Sequence, residues 1–191
     1  MKKSLIAAAS VAACFAMNVQ AQDAITVVNF GGANANAIAQ QVVAGRGLDR
    51  WEHARLLALM NVGMNDALIS VFETKFTYRF WRPVTAIRAA GTDGNPDTAA
   101  DPAWTSYQAT PPYPDFTCGL PTLSGAAAEV LRRYFGTDAL PYTHTAGGIT
   151  RSFPTLTAAT DDAVNARVYG GMHFRTGCVH GVRQGGQVGR F

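Results

Sequence analysis

Three separated segments of this chain hold side chains that could act together on an anion. The first is Lys75-Phe-Thr-Tyr-Arg-Phe-Trp-Arg82-Pro83, a lysine and an arginine among aromatics; Lys75 is the only lysine beyond Lys3. The second is Pro111-Pro-Tyr-Pro-Asp-Phe-Thr-Cys118-Gly119-Leu120, a proline-stiffened loop that runs into a helical pattern. The third is Arg167-Val-Tyr-Gly-Gly-Met-His173. Two arginines can hold oxygens bidentately, and a lysine adds a point charge. A helix beginning at Gly119 would present unpaired backbone N–H groups to the same ligand. A histidine among such cations can attack phosphorus or coordinate a metal oxyanion. Taken singly, each residue has a plainer role: Lys75 and Arg82 as solvent-facing cations, Arg167 in an ion pair, His173 as a hydrogen-bonded core histidine. Their convergence points instead to an oxyanion cradle.

The elements that must position these segments read as helices. Asn34 to Ala44 predicts a short helix stopped by Gly45-Arg46-Gly47. From Asp49 to about Phe72 the pattern is strongly helical: Asp49 can cap it, and Glu52 three residues on completes a capping box. Apolar residues cover most of its circumference, which predicts a helix buried at the centre of a bundle. Asn61, Asn65 and Asp66 within it would then need interhelical hydrogen bonds. Proline and glycine between Gly91 and Pro114 predict a loop. A helix returns from about Thr122 to Phe135 with Gly136 as its stop, and Ala126-Ala-Ala128 would let a neighbour approach closely. Gly147 to Leu156 reads as loop. Thr160 is expected to cap a helix whose first turn holds Asp161 and Asp162, suited to the positive dipole end. Gly181 to Val188 reads as one more short helix. No stretch alternates as a strand should, so the expected class is all-α.

The N-terminus reads as an export leader. Lys2 and Lys3 form a basic start, Leu5 to Met17 is apolar, and Val19-Gln20-Ala21 offers small residues for cleavage after Ala21. Cys14 would be a lipid attachment point if Val11-Ala-Ala-Cys14 were used instead. The expected organisation is a leader over 1–21, an extended lead-in over 22–33 and a helical domain over 34–191, in a periplasmic or secreted protein. No other segment reads as a membrane span. Without the leader the formal charge falls from +3 to +1, with no basic run of the kind a nucleic-acid surface needs. Cys118 and Cys178 would be the two remaining cysteines, and an oxidising compartment permits a disulfide between them.

These motifs resemble the vanadium-dependent haloperoxidases and the related type 2 phosphatidic acid phosphatases. That family carries lysine, six residues and Arg-Pro; then Pro-Ser-Gly-His; then Ser-Arg, five residues and histidine. Here the first is complete, as Lys75 through Arg82-Pro83, and the third stands as Ala166-Arg167 through His173, with alanine for serine. Phe80–Arg88, Pro111–Asp115, Ala126–Leu131 and Gly170–Arg175 are similar to the bacterial haloperoxidase branch. The resemblance runs from about Asn34 to the C-terminus. It implies a helical bundle, vanadate on His173 held by Lys75, Arg82, Arg167 and the Gly119 amide, and a halide and peroxide as small-molecule substrates. For a phosphatase, the same cradle would take phosphate, with His173 as nucleophile on a phosphate ester. A homo-oligomer is compatible with either.

The second motif departs from the family, with Cys118-Gly119-Leu120 where the family has Ser-Gly-His. Leucine cannot supply general acid–base help, typically worth about a hundred- to ten-thousand-fold. An oxyanion-binding relative without catalysis is therefore a third reading, from a different class. His180, His144 and His53 are the histidines that could replace the lost acid. The phosphatase pattern's ring-orienting aspartate falls at Gly177. The resemblance also implies that the family's helical N-terminal half lies outside this chain.

Overall fold

The computed structural model describes residues 33–146 and 148–190; the leader, its Ala21 cleavage point, Cys14 and most of the lead-in lie outside them. Among these described residues, six helices and one hairpin follow in order: α1 (Ala33–Val43), α2 (Arg50–Tyr78), α3 (Pro83–Arg88), α4 (Gly119–Phe135), β1 (Tyr142–Ala146), β2 (Ile149–Phe153), α5 (Leu156–Tyr169) and α6 (Arg175–Val188). A single 3-10 turn, Ala90–Thr92, follows α3. The fold is helical, as the patterning implied.

Local chemistry starts and stops these helices. The Asp49 side chain accepts from the Trp51 and Glu52 amides, while Glu52 accepts from the Asp49 amide, so the expected capping box is formed. α2 runs past Phe72 to Tyr78 and therefore carries Lys75 in its last turn. It ends at Arg79, whose left-handed backbone (φ 49°) redirects the chain. Pro83 then opens α3 at a position where its missing N–H costs nothing, with Arg82 as the extended residue before it. Lysine and arginine of the first motif thus stand at the end of one helix and the start of the next.

The main core joins Ile38 and Val42 of α1, Leu56, Met60 and Met64 of α2, Ala127, Ala128 and Leu131 of α4, Tyr142 and Phe153 of the hairpin, and Leu156 of α5. α4 lies between this core and α6. Gly181 and Gly185 of α6, and Gly189 just after it, face α4 so closely that a Cβ on Gly185 would sit 1.8 Å from the Thr122 carbonyl oxygen. Bare backbone on that face of α6 is what lets the two helices touch. This contact holds the second and third motifs side by side.

Four expectations need correction. α2 is not buried all round: Leu56, Met60, Met64, Leu68 and Val71 face inward, while Trp51, Val62 and Ile69 are exposed by 83%, 60% and 61%. Composition showed that most of the surface was apolar and could not show that one side lacks a neighbour among the described residues. Asn61 bonds Asn36 of α1 at 2.9 Å, as foreseen, but at an exposed position, and Asn65 and Asp66 are exposed. Second, Tyr142–Ala146 pairs antiparallel with Ile149–Phe153, where no strand was expected; Tyr142 and His144 point in while Thr143 and Thr145 point out. Third, α5 is capped by Thr155, whose hydroxyl accepts from the Ala158 amide, so Thr160 lies inside the helix. Fourth, Arg50–Arg88 does pass a length-and-composition test for crossing a membrane, at mean hydropathy 1.3, although it contributes to the core.

Candidate functional site

The three motifs meet where α2 ends, α4 begins and α6 begins. The Asp115 amide donates to the Phe80 carbonyl at 2.9 Å, tying the first segment to the second. The Cys118 amide donates to the Gly177 carbonyl at 3.0 Å, tying the second to the third. Gln184 of α6 accepts from Thr117 and donates to Ser70 and Thr74 of α2, which fixes the loop against both helices.

Arg82 is the hub. Its side chain is 5% exposed; Nε donates to the Tyr113 carbonyl at 2.8 Å and Nη1 to the Met172 carbonyl at 2.7 Å. Nη1 also lies 3.0 Å from His173 Nε2. A guanidinium only donates, so Nε2 must be the accepting nitrogen and the proton sits on Nδ1. His173 Nδ1 lies 2.7 Å from Asp115 Oδ1, both side chains being 1% exposed. Asp115 thus stands beside Nδ1 where an outer carboxylate stands beside a ligating histidine, while Nε2 is engaged by Arg82 Nη1 and would exchange that contact for a ligand.

Sequence reasoning missed Asp115. It placed the ring-orienting carboxylate at Gly177 and found none. A Cβ on Gly177 would come within 2.9 Å of Asp115 Oδ2, so the glycine vacates the volume that a carboxylate from the neighbouring loop occupies. The signal was present, since Asp115 is the one acid inside the Pro111–Leu120 loop, but the distance between loop and histidine was not.

Lys75 is fully buried, and its ammonium donates to the Pro114 and Asp115 carbonyls at 2.8 Å each and lies over the Tyr113 ring. In these bonds the lysine braces the loop. The plainer expectation of solvent-facing cations fails for Lys75 and Arg82 alike. Arg82 also stacks its guanidinium 5.0 Å from the Tyr113 ring centroid. Burial pulls the Arg82 guanidinium below its ordinary value, with the Asp115 charge the first influence opposing it and Arg167 a neighbouring cation. Arg82 Nη2 and Arg167 Nε are both buried and lack a hydrogen-bond partner. Buried unpaired donors are costly, and two on neighbouring guanidinium groups are what an oxyanion would satisfy.

Cys118 is the N-cap residue of α4 and Gly119 its first residue. Both cysteines are free and fully buried, and their sulfurs and a His173 ring nitrogen all lie within 4.8 Å of one another. Burial favours the neutral Cys118 thiol, but the nearby Cys178, His173 and Arg167 groups outweigh it and hold Cys118 well below the usual thiol range. A hydrogen bond to Cys118, with burial, pushes Cys178 up.

Two of the histidines considered as replacements for the missing acid, His53 and His144, stand elsewhere. His53 lies in the first turn of α2, about 33 Å along that helix from Lys75 at its usual rise per residue. His144 is in the hairpin opposite Arg151. His180 is exposed, with its ring 5.6 Å from that of Phe116.

The described residues form a helical bundle in which all three motifs meet around a buried histidine. The family model described as the VCPO second helical-bundle domain matches residues 55–191, and the chain belongs to that vanadium haloperoxidase family. It is similar to the vanadium chloroperoxidase of Curvularia inaequalis, 32% identical over 106 residues, covering 50% of this chain and 17% of that protein. Among solved structures, a bacterial vanadium-dependent iodoperoxidase aligns over 81% of this chain and 36% of its own, with 31% identity and a TM-score of 0.71. An apo bacterial vanadium-dependent chloroperoxidase aligns over 87% and 45% at 22% identity, with a TM-score of 0.63, a likeness of fold. The chain therefore spans less than half the length of each of these relatives.

Proposed function

We propose that this chain carries the oxyanion site of a vanadium haloperoxidase-like protein, in which vanadate binds at His173 Nε2. Arg82, Arg167 and the Gly119 amide would hold its oxygens, with Lys75 and Asp115 bracing the cradle from behind. The observation that carries this reading is the pair of buried, unpartnered donors, Arg82 Nη2 and Arg167 Nε, beside a histidine whose Nε2 faces a guanidinium. When bound, vanadate supplies Lewis-acid activation of peroxide toward halide oxidation. The residues' own contribution is electrostatic: fixed donors in a water-poor site, the kind of preorganisation that commonly dominates catalysis. Asp115 keeps the Nδ1 proton in place, and Leu120 offers no group to move a proton on the opposite side.

Halide oxidation is accordingly expected to be weak in the wild type and raised about a hundredfold or more by Leu120→His, as is typical of one acid–base group. Peroxide-dependent halogenation of a dye, measured with and without added vanadate, tests this. Vanadate-independent halogenation, or activity untouched by His173→Ala, would overturn it. Asp115 equally suits a phosphatase, because it orients His173 as a nucleophile; release of an activated aryl alcohol from its phosphate ester, without peroxide, would favour that reading. We also propose, from residues 1–21, that the protein is exported.

A further inference from the structure

We propose that α2 is a dimer interface, pairing antiparallel with α2 of a second copy of this chain about a two-fold axis. This pairing is independent of what the oxyanion cradle binds.

α2 is apolar on two opposite sides. One side enters the core through Leu56, Met60, Met64, Leu68 and Val71. The other leaves Trp51, Leu59, Val62, Ile69 and Phe76 exposed among the described residues. Together these five side chains offer roughly 500 Å² of apolar surface, close to the apolar share of the ~800 Å² that each partner gives to a standard interface. A contiguous patch of that size marks an interaction site rather than scattered surface residues.

Its spacing selects a helix as the occupant. Steps of four and three residues run along the outer side from Trp51 to Phe76, the 3.5-residue repeat of a coiled-coil seam. Its charges select a second, reversed copy. With two copies antiparallel and centred between Gly63 and Met64, Trp51 meets Phe76 of the second copy, small Ala58 meets bulky Ile69, and Val62 meets Asn65. Arg55 falls beside Glu73, both exposed in the single chain, and two-fold symmetry makes that ion pair twice. A parallel pair would instead set Arg55, Asp66 and Glu73 each against its own copy. The same three charges oppose burial of this side in a bilayer, although the segment is long and apolar enough to cross one. Phe76 adjoins Lys75, so the second copy abuts the helix end that braces the site loop.

The full sequence is expressed, and the purified protein is followed by light scattering and sedimentation across a dilution series. The expected result is a particle of twice the chain mass that dissociates on dilution. Val62→Glu places a charge at the centre of the seam and should weaken the dimer at least about a hundredfold. Because Val62 is exposed in the single chain, circular dichroism should show the variant as helical as the wild type. Arg55→Glu should weaken the dimer about tenfold, and adding Glu73→Arg should restore it, since both pairs are then reversed together. Orientation is read from Ala58→Cys combined with Ile69→Cys, which lie about 16 Å apart along one helix and cannot join within it. Mild oxidation should give a covalent dimer linked 58 to 69. A chain that stays monomeric at every concentration would overturn the proposal, whether it stays free, partitions into lipid vesicles or pairs one-to-one with a different helical protein. So would a dimer untouched by Val62→Glu, or 58-to-58 linkage in Ala58→Cys alone.

Discussion

Asp115→Asn isolates the role of one buried charge. The substitution keeps the shape of the side chain and an oxygen that can face His173 Nδ1, and it removes the negative charge. Asp115 is 1% exposed, faces His173 Nδ1 at 2.7 Å, and its charge favours the cationic form of Arg82. Breaking a buried charge pair from one side typically costs 3 to 5 kcal/mol. Because Asn retains a polar contact, the lower end applies, about 3 kcal/mol. With a urea slope of about 2 kcal/mol per molar, the unfolding midpoint should fall by about 1.5 M. Asp161→Asn, an exposed acid on α5, serves as control and should stay within about 0.5 kcal/mol. Vanadate affinity should also drop, by the tenfold to hundredfold typical when a ligand's outer carboxylate is lost. Urea melts followed by tryptophan fluorescence, and vanadate titrations, measure both. A midpoint within error of wild type would refute the assignment of Asp115 as the site's counter-charge.

Three further outcomes follow from the geometry. Gly185→Ala should destabilise by about 3 kcal/mol or more, since its Cβ would overlap the Thr122 carbonyl, whereas Gly186→Ala, with open space around it, should be neutral or stabilising by up to about 1 kcal/mol; thermal melts separate the two. Burial lowers the His144 pKa in the folded hairpin, so the unfolded chain binds the proton more readily. The stability this contributes is present above the ordinary histidine range and is lost as pH falls below it; urea midpoints at pH 7.5 and 5.5 should differ less in His144→Gln than in wild type. Arg167→Gln should weaken phosphate binding at least tenfold while leaving the thermal midpoint nearly unchanged without ligand, which calorimetry and melting in phosphate-free buffer check.

How much of this was legible depended on whether the signal was local. The capping box at Asp49 and Glu52 involves neighbours in sequence, and the helix start followed directly. Lys75 and Arg82-Pro83 were legible as a motif because their spacing spans one helix end and one helix start. Asp115 was not, because its partner His173 is distant in sequence and the space between them depends on Gly177. The hairpin escaped notice because its inward residues, Tyr142 and His144, carry polar groups, and its outward ones are threonines. The apolar circumference of α2 was legible, but which side is covered depends on packing that composition does not encode. The cysteines were seen as a pair; their position between His173 and the helix N-terminus required the fold.

The most direct test of the oxyanion cradle is isothermal titration of the reduced protein with vanadate, alongside His173→Ala. Saturable one-site binding in the wild type, abolished in His173→Ala and displaced by phosphate, is the predicted result. Absence of saturable binding, or binding of equal strength without His173, would contradict the account.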